Sequence, residues 1–268
     1  MMSVIQSTKL VCFSPTGTTR KIIQRIALGT GLNSPELIDI TKPDARKQLL
    51  HTTEKDLLIV GVPVYMGRVP AIATEWLQTI KADDTPVVCV VVYGNRTYDN
   101  ALLELKDILV KCGCKPISGV AYIGEHSFST DETPVGKGRP DSSDLSHAKL
   151  FGQKITEKLQ AVLSNNHIPD LSVSGNYPYG GVTELWSLDF ITTSPECVQC
   201  GICAENCPVG AIDFENVALI DIESCITCCA CIKKCPQNAR RMKDGLVKEA
   251  SMRLNNLHGE RKEPIIFL

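Results

Sequence analysis

The sequence predicts an α/β protein with a doubly wound parallel sheet, followed by a smaller cysteine-rich module. Three observations lead to this prediction. Short apolar runs alternate with segments of helical length through the first two-thirds of the 268-residue chain. These runs are apolar almost without interruption, which is typical of parallel strands covered on both faces. The last third holds nine of the 13 cysteines, all between Cys197 and Cys235.

The individual elements follow from hydrophobic pattern and segment length. Short runs rich in Val, Ile and Leu are predicted as strands, in chain order at 9–13, 36–40, 56–60, 86–92 and 116–123. Longer segments that mix polar and apolar residues are predicted as helices, at 20–28, 70–80, 99–112 and 142–163. Because helices alternate with strands, we expect a five-stranded parallel sheet with helices on both faces.

The composition argues against several classes of function. A formal net charge of −2 provides no overall positive field for binding nucleic acid. The chain has no apolar run long enough to cross a bilayer, so no membrane span is expected. The N-terminal stretch MMSVIQSTKL lacks the pattern of a secretory signal, and a cytoplasmic location is therefore expected.

Eight of the clustered cysteines repeat one spacing. The stretches CVQCGICAENCP and CITCCACIKKCP both follow C-x2-C-x2-C-x3-C-P, the bacterial spacing for cubane iron–sulfur clusters. Disulfides would need an oxidising compartment and structural zinc uses CxxC pairs with longer spacers, so both alternatives fit less well. The predicted ligands of two [4Fe–4S] clusters are Cys197, Cys200, Cys203, Cys207, Cys225, Cys228, Cys231 and Cys235.

In such repeats the fourth cysteine is expected to bind the cluster of the other repeat. One ligand set would then be Cys197, Cys200, Cys203 and Cys235, and the other Cys207, Cys225, Cys228 and Cys231. This exchange would tie the two halves of the module together through their metals. The ninth cysteine, Cys229, stands where the first repeat has Gly201, and we expect it to pack as a small residue beside a cluster.

The loop SPTGTT follows the first predicted strand and leads into the first helix. Its hydroxyls, its backbone N–H groups and the helix N-terminus behind it suit a phosphate group. A helix start capped by Ser or Thr would use the same residues, and both interpretations stay open at this point. The loop does not continue into Gly-Lys-Ser/Thr, which argues against a nucleotide hydrolase.

Two further loops follow strands at the sheet edge where parallel sheets bind ligands. GVPVYMGRVP comes after the third strand and YGNRTYD after the fourth, and each combines tyrosine with glycine. Such loops can hold a flat aromatic ligand by stacking and backbone hydrogen bonds. Packing of each tyrosine within its own loop is the alternative interpretation.

Together the three loops resemble those of the flavodoxin family over about residues 8–164, and the cysteine repeats resemble two-cluster ferredoxins over about 188–243. The whole chain is similar to flavodoxin–ferredoxin fusion proteins. The resemblance implies FMN, with its phosphate held by Ser14, Thr16, Gly17, Thr18 and Thr19. The implied neighbours of its ring are Pro63, Val64, Tyr65, Met66, Gly67, Gly94, Asn95, Arg96, Tyr98 and Asp99. Arg96 or Arg68 would stabilise a reduced, anionic flavin.

The resemblance also implies a domain organisation. It places a flavodoxin-like FMN domain at 1–165, a linker at 166–187, a small α+β two-cluster ferredoxin domain at 188–245 and a C-terminal tail at 246–268. The stretch 181–230 has eight acidic residues and no Lys or Arg. It is either ordinary solvated surface or a docking face for a redox partner.

The implied function is that of an electron-transfer flavoprotein that couples one-electron and two-electron redox partners through FMN and two [4Fe–4S] clusters. Reduction of a small-molecule acceptor such as a quinone, fed by the clusters, is the alternative, and a redox or iron sensor is a third. An open pocket above the flavin would favour a reductase, and a flavin edge that faces a cluster would favour a carrier. No catalytic residue is assigned. The expected partners are redox proteins, ferredoxin-like or reductase, and a homodimer stays open.

Overall fold

The computed structural model describes residues 5–32, 35–165, 167–182 and 187–268. These residues form a large sheet with flanking helices and a smaller module that carries the cysteine repeats. Residues 166 and 183–186 of the predicted linker lie outside the described residues. Within the described ranges, no helix is both long and apolar enough to cross a membrane.

The strands are, in chain order, β1 (Ser7–Cys12), β2 (Glu36–Asp39), β3 (His51–Thr52), β4 (Asp56–Pro63), β5 (Lys81–Ala82), β6 (Thr85–Tyr93), β7 (Cys114–Ile123), β8 (Ile191–Thr193), β9 (Arg240–Met242) and β10 (Ile265–Phe267). Six of them form one sheet in the spatial order β2-β1-β4-β6-β7-β10. The first five run parallel, which confirms the predicted five-stranded parallel sheet. β10 runs antiparallel to β7 and adds a sixth strand that the sequence did not predict.

The strand order fixes where a ligand would bind. Counting only the parallel strands, the order is 2-1-3-4-5, which is the flavodoxin-like doubly wound order. Ligands of such sheets bind beyond the carboxyl ends of the strands, where the order reverses, and here that point lies between β1 and β4. The loops that follow β1, β4, β6 and β7 therefore surround the candidate site.

Helices cover both faces of the large sheet, as its apolar strands predict. The helices are α1 (Thr18–Thr30), α2 (Ala71–Leu77), α3 (Ala101–Lys111), α4 (Ser142–Asn165), α5 (Ile202–Glu205), α6 (Ala230–Lys233) and α7 (Leu246–His258), and Pro43–Lys47 forms a 3-10 helix. α1 and α4 pack on one face through Ile22 and Phe151. α2 and α3 pack on the other through Trp76 and Leu105.

The cysteine module has a small core of its own. β8 and β9 pair antiparallel, and α5 and α6 each begin inside one cysteine repeat. The core contains the buried side chains of Phe190, Ile212, Val217 and Val247 together with several cysteines. Apolar cover of this kind limits solvent access to a bound cluster, which is one of the factors that set its potential.

The C-terminal segment contacts both modules. Val247 of α7 lies in the core of the cysteine module. Ser251, one turn later, donates its hydroxyl to the Phe128 carbonyl of the first module at 2.6 Å. β10 then completes the large sheet, with Ile265 opposite Ala121. The stretch 246–268, expected from the sequence to be a tail, therefore folds back and joins the two modules.

Candidate cofactor sites

The two cysteine repeats build the same backbone twice. Residues with positive φ occur at equivalent positions, as the pairs Gln199 and Thr227, Gly201 and Cys229, and Gly210 and Asn238. At the fourth cysteine of each repeat, a backbone N–H donates to sulfur at 3.3 Å, from Ala211 to Cys207 and from Ala239 to Cys235. Hydrogen bonds of this kind favour a thiolate. Equal spacing in the sequence has produced equal loop geometry.

The eight repeat cysteines line two separate cavities. The first cysteine cavity has Cys197, Cys200, Cys203 and Cys235 in its wall, and the second cysteine cavity has Cys207, Cys225, Cys228 and Cys231. The two enclose similar spaces, about 310 Å³ and about 350 Å³ with their open mouths included. Each fourth cysteine therefore lies with the first three of the other repeat. The structure brings the cysteines together in the two interleaved sets; their role as ligands stays a prediction.

The residues present fit a polynuclear group. Among the described residues, no three His, Cys, Asp or Glu side chains lie close enough together to hold a single metal ion. The cysteines surround a space instead of meeting at a point, which is the arrangement that a cube of iron and sulfur requires. Each wall contains four repeat cysteines, and cysteine sulfur is the soft donor that iron–sulfur clusters use.

Burial opposes free thiolates in the second cysteine cavity. Desolvation raises the pKa of Cys225 and Cys228, and it raises the pKa of Cys231 to about 12. At Cys235, in the first cysteine cavity, burial is again the largest effect, but backbone N–H donors and the charge of Arg240 outweigh it and lower the pKa. Bound iron would supply the positive charge that deprotonates these thiols.

Cys229 also lies in the wall of the second cysteine cavity, but its backbone identifies the position as one for glycine. It is buried, has φ +55° and precedes α6, as Gly201 with φ +74° precedes α5. Glycine adopts this left-handed conformation without the cost that a side chain brings. We therefore interpret Cys229 as packing, in agreement with the sequence prediction.

The Cys229→Gly variant is expected to keep its full iron content. The change relieves the left-handed backbone and removes no sulfur from the two interleaved sets. Iron and sulfide analysis after anaerobic reconstitution, beside the parent protein, measures this. A loss of about half the iron would instead make Cys229 a ligand.

A third cavity, the sheet-edge cavity, lies where the strand order predicts a ligand. It holds about 770 Å³ of space, a figure that includes its open mouth. Nine of the fifteen predicted FMN residues line it: Ser14, Thr16, Thr18, Thr19, Pro63, Val64, Tyr65, Met66 and Gly94. The loops after β1, β4 and β6 thus meet as their sequences predict.

The first turn of α1 contains an unpartnered hydroxyl, on a residue that lines the sheet-edge cavity. Thr19 is fully buried, and its Oγ1 has no hydrogen-bond partner among the described residues. Ser14 is held in place because its backbone N–H donates to Thr41 Oγ1 and its Oγ accepts from the Arg20 N–H. Gly17, with φ +90°, turns the chain into α1 without lining the cavity. An orphaned hydroxyl at a helix N-terminus fits a phosphate.

The loop after β4 makes a tight turn whose tip faces the same cavity. Tyr65 and Arg68 exchange backbone hydrogen bonds of 3.0 and 2.9 Å, with Met66 at φ +50° and Gly67 at φ +81° between them. A Cβ on Gly67 would lie 2.6 Å from Asp99 Oδ2, so this position requires glycine. Gly67 therefore shapes the turn, and it is Tyr65 and Met66 that line the cavity.

The loop after β6 differs from the prediction. Asn95, Arg96, Tyr98 and Asp99, like Gly17 and Gly67, lie outside the lining of the sheet-edge cavity. Asn95 Nδ2 donates to the carbonyls of His258 and Glu260 at 2.6 and 2.7 Å, and Lys262 Nζ donates to the Arg96 carbonyl. Hydrogen bonds to the C-terminal segment thus use polar groups of this loop that were expected to contact a ligand. Tyr98 packs inward, 5.7 Å from the Tyr93 ring centre.

The two arginines proposed to stabilise an anionic flavin are paired with acids of their own. Arg96 forms an ion pair with Asp99. Arg68 makes two hydrogen bonds to the buried Glu104 carboxylate, at 2.9 and 2.7 Å. A guanidinium bound in this bidentate way has its charge largely compensated. The expectation that either residue stabilises a reduced flavin is therefore not supported.

Sequence reasoning missed part of the sheet-edge cavity. The loop after β7 supplies Gly124, Glu125, His126, Ser127 and Phe128, and neighbouring strands and loops add Pro15, Val92 and Tyr93. The carboxyl end of β7 lies at the same sheet edge. The rule that ligands bind beyond the carboxyl ends of parallel strands could therefore have identified the loop after β7. Burial, followed by the charges of Lys233 and Arg96, lowers the pKa of His126 to about 4, so this imidazole is neutral near pH 7.

The sheet-edge cavity and the second cysteine cavity share a lining residue. Ile226 lines both, and Thr227 beside it lines the sheet-edge cavity. Both residues lie between Cys225 and Cys228 in the second repeat. Burial raises the pKa of the Tyr65 hydroxyl, as do the nearby Cys228 and Cys229 thiols, which indicates that Tyr65 lies close to the second repeat. No sequence signal marked this contact.

Polar bonds hold the two modules in this position. Lys233 of the second repeat pairs with Glu125 and also donates to the Ser129 carbonyl at 2.6 Å. Arg46 of the first module donates to the Pro208 carbonyl at 2.7 Å. These bonds link the module that contains Ile226 to the module that contains most of the sheet-edge cavity.

Comparison with known proteins gives one match to a family and several similar folds. The 4Fe-4S binding domain family matches residues 195–213, which hold the first repeat. No curated protein matches the chain. A flavodoxin from the domain Archaea aligns with 15% identity and a TM-score of 0.38, over 58% of this chain and 99% of that one.

Two further solved structures are similar over the same region. A flavodoxin of Streptococcus pneumoniae TIGR4 aligns with 19% identity and a TM-score of 0.40, over 58% of this chain and 99% of that one. Rubredoxin oxygen:oxidoreductase from Desulfovibrio gigas aligns with 14% identity and a TM-score of 0.41, over 61% of this chain and 38% of that one. All three scores are below 0.5, so it is the strand order that identifies the fold as flavodoxin-like.

Proposed function

Because the chain joins a flavodoxin-like fold to a 4Fe–4S binding domain, we propose that it is an electron-transfer flavoprotein with one FMN and two [4Fe–4S] clusters. The observation that carries this proposal is Ile226, which lines both the sheet-edge cavity and the second cysteine cavity. FMN exchanges one or two electrons and a cubane cluster exchanges one, so the combination couples one-electron and two-electron partners.

The residues of the sheet-edge cavity have distinct roles in this proposal. Thr19 and the N-terminus of α1 bind the FMN phosphate, and Tyr65 and Met66 lie against the ring. Phe128 and Ile226 exclude water on the side of the cysteine module. His126 is neutral and its Nδ1 accepts the Phe128 N–H at 3.0 Å, so Nε2 keeps its proton and can donate a hydrogen bond.

The first cysteine cavity forms the outer end of the electron path. Cys200 is exposed, whereas Cys228 of the second cysteine cavity is buried. The exposed surface of the cysteine module carries Glu196, Asp213 and Glu215, with no Lys or Arg between 181 and 230. We therefore propose that a redox partner docks there through a basic surface, steered by charge.

The position of the cysteine module supports a carrier over a quinone reductase. A reductase needs open space for its acceptor beside the flavin, whereas a carrier needs a short path from flavin to cluster. Ile226 and Thr227 occupy one wall of the sheet-edge cavity and belong to the loop that holds Cys225 and Cys228. The flavin edge on that side therefore faces a cluster ligand loop.

Rapid mixing of the full, anaerobically loaded protein with a one-electron reductant tests the proposal. In the parent protein, FMN reduction is expected to follow cluster reduction at a rate independent of protein concentration. The Cys228→Ala variant is expected to keep FMN but to lose the cluster of the second cysteine cavity, so that only direct reduction of the flavin remains. The rate of flavin reduction is then slow and proportional to the reductant concentration. The Cys229→Gly variant is the matched control and is expected to behave as the parent. Equal rates of flavin reduction in the parent protein and in the Cys228→Ala variant would contradict the proposal.

A further inference from the structure

The two cysteine cavities differ at one equivalent position. Both repeats end in the pattern Cys-Pro-x-x-Ala. The residue that follows this alanine is Ile212 after the first repeat and Arg240 after the second. Ile212 lines the second cysteine cavity, and Arg240 lines the first cysteine cavity. Two cavities with the same cysteine arrangement therefore have an aliphatic side chain in one wall and a guanidinium in the other.

The Arg240 side chain is buried with most of its hydrogen-bonding capacity unused. The residue is 2% exposed, and one amino group, Nη2, donates to the Val217 carbonyl. Neither Nε nor Nη1 finds a hydrogen-bond partner within the part of the chain that the structure describes. A buried guanidinium without an anion is costly. The free donors therefore point to an anionic group in this cavity.

The sulfurs of Cys197, Cys200, Cys203 and Cys235 supply that anion when they hold a cluster. We propose that Arg240 is a tuning residue, which stabilises the reduced, more negative state of the cluster in the first cysteine cavity. This inference rests on the proposed function, because it requires a cluster in each cavity. Positive charge and hydrogen bonds near cluster sulfur raise a reduction potential, and screening by salt is weak at a buried site.

The consequence is an ordering of the two potentials. The cluster beside Arg240 is reduced more easily than the cluster beside Ile212, although both have four cysteine ligands. At half reduction the electron therefore resides in the first cysteine cavity, which contains the exposed Cys200 and lies away from the sheet-edge cavity. An electron accepted from a partner is held near the surface before it moves inward.

A redox titration of the full, loaded chain followed by electron paramagnetic resonance tests the ordering. The Cys200→Ala variant is expected to lose the resonance signal of the cluster in the first cysteine cavity, and the missing signal identifies that cluster. Arg240→Met is expected to lower that midpoint potential by at least the equivalent of a tenfold change in the reduction equilibrium, about 59 mV for one electron. The midpoint of the other cluster is expected to fall by a smaller amount, because the charge of Arg240 also acts on Cys231 of the second cysteine cavity. Arg240→Lys, which keeps a positive charge, is expected to preserve most of the parent value.

Arg241→Met is the matched control. It removes the same charge one residue further on, from an exposed side chain whose Nε donates to the Asn238 carbonyl. Water and salt screen that charge, so both midpoints are expected to remain at the parent values. Unchanged midpoints in Arg240→Met, or equal shifts of both clusters, would overturn the inference.

The iron content of the variants distinguishes a changed potential from the loss of a cluster. Iron lost from Arg240→Met but retained by Arg240→Lys supports a requirement for charge at this position. Iron lost from both variants overturns the inference, because it assigns Arg240 to assembly of the module. A parent protein without two cluster signals would refute the proposed function itself, before any variant is compared.

Discussion

Replacing Cys235 with alanine is expected to remove the cluster held by Cys197, Cys200 and Cys203, although Cys235 belongs to the other repeat. The reason is the interleaved arrangement, in which Cys235 lines the first cysteine cavity and not the second. Iron is expected to fall from about eight to about four atoms per chain, since each cubane carries four. Iron analysis of the anaerobically reconstituted protein measures the loss.

Double variants decide which cluster was lost. Cys197→Ala with Cys235→Ala removes two ligands of one interleaved set and is expected to retain about four irons. Cys225→Ala with Cys235→Ala removes one ligand from each set and is expected to lose nearly all iron. Sequential ligation, with each repeat holding its own cluster, predicts the opposite pair of results.

Replacing Thr19 with valine is expected to weaken FMN binding by roughly 10- to 150-fold. Thr19 Oγ1 is buried without a partner in the described ranges, so the hydroxyl is available to the phosphate. A hydrogen bond to a charged group contributes about 1.5–3 kcal/mol, and each 1.4 kcal/mol is about a tenfold change in affinity. Quenching of flavin fluorescence during titration of the apoprotein measures the dissociation constant.

Thr8→Val is the matched control for this change. Thr8 is also buried, and its Oγ1 also has no partner among the described side chains, but it lies in β1 outside the cavity wall. FMN affinity is expected to remain at the parent value. Riboflavin, which lacks the phosphate, is expected to bind Thr19→Val and parent protein alike. A similar loss with riboflavin would contradict a phosphate role for Thr19.

Local sequence patterns predicted the elements that depend on local contacts. The cysteine spacing anticipated two equivalent loops, and the structure has them, with positive φ at equivalent positions such as Gly201 and Cys229. The loop SPTGTT lies between β1 and α1 at the sheet edge, as its sequence predicted, and its binding of a phosphate stays a prediction. The five parallel strands followed from apolar runs that need cover on both faces.

Features that depend on distant parts of the chain could not be predicted. Asn95 and Arg96 were expected beside a ring, but the C-terminal segment accepts and donates their hydrogen bonds. Ile226 reaches the sheet-edge cavity only because the cysteine module packs against the first module. Contacts between residues more than a hundred positions apart leave no periodic pattern in a single sequence.

The return of β10 to the large sheet has a consequence for synthesis. A ribosome releases the N-terminal module early, but the strand that pairs with the outer edge of β7 follows only after the whole cysteine module has been made. Domains usually fold in the order in which they emerge, at about 5–20 residues per second. Here the β7 edge stays open until β10 has emerged, and during that interval another strand could pair with it. Truncating the gene before 265–267 would leave that edge exposed permanently.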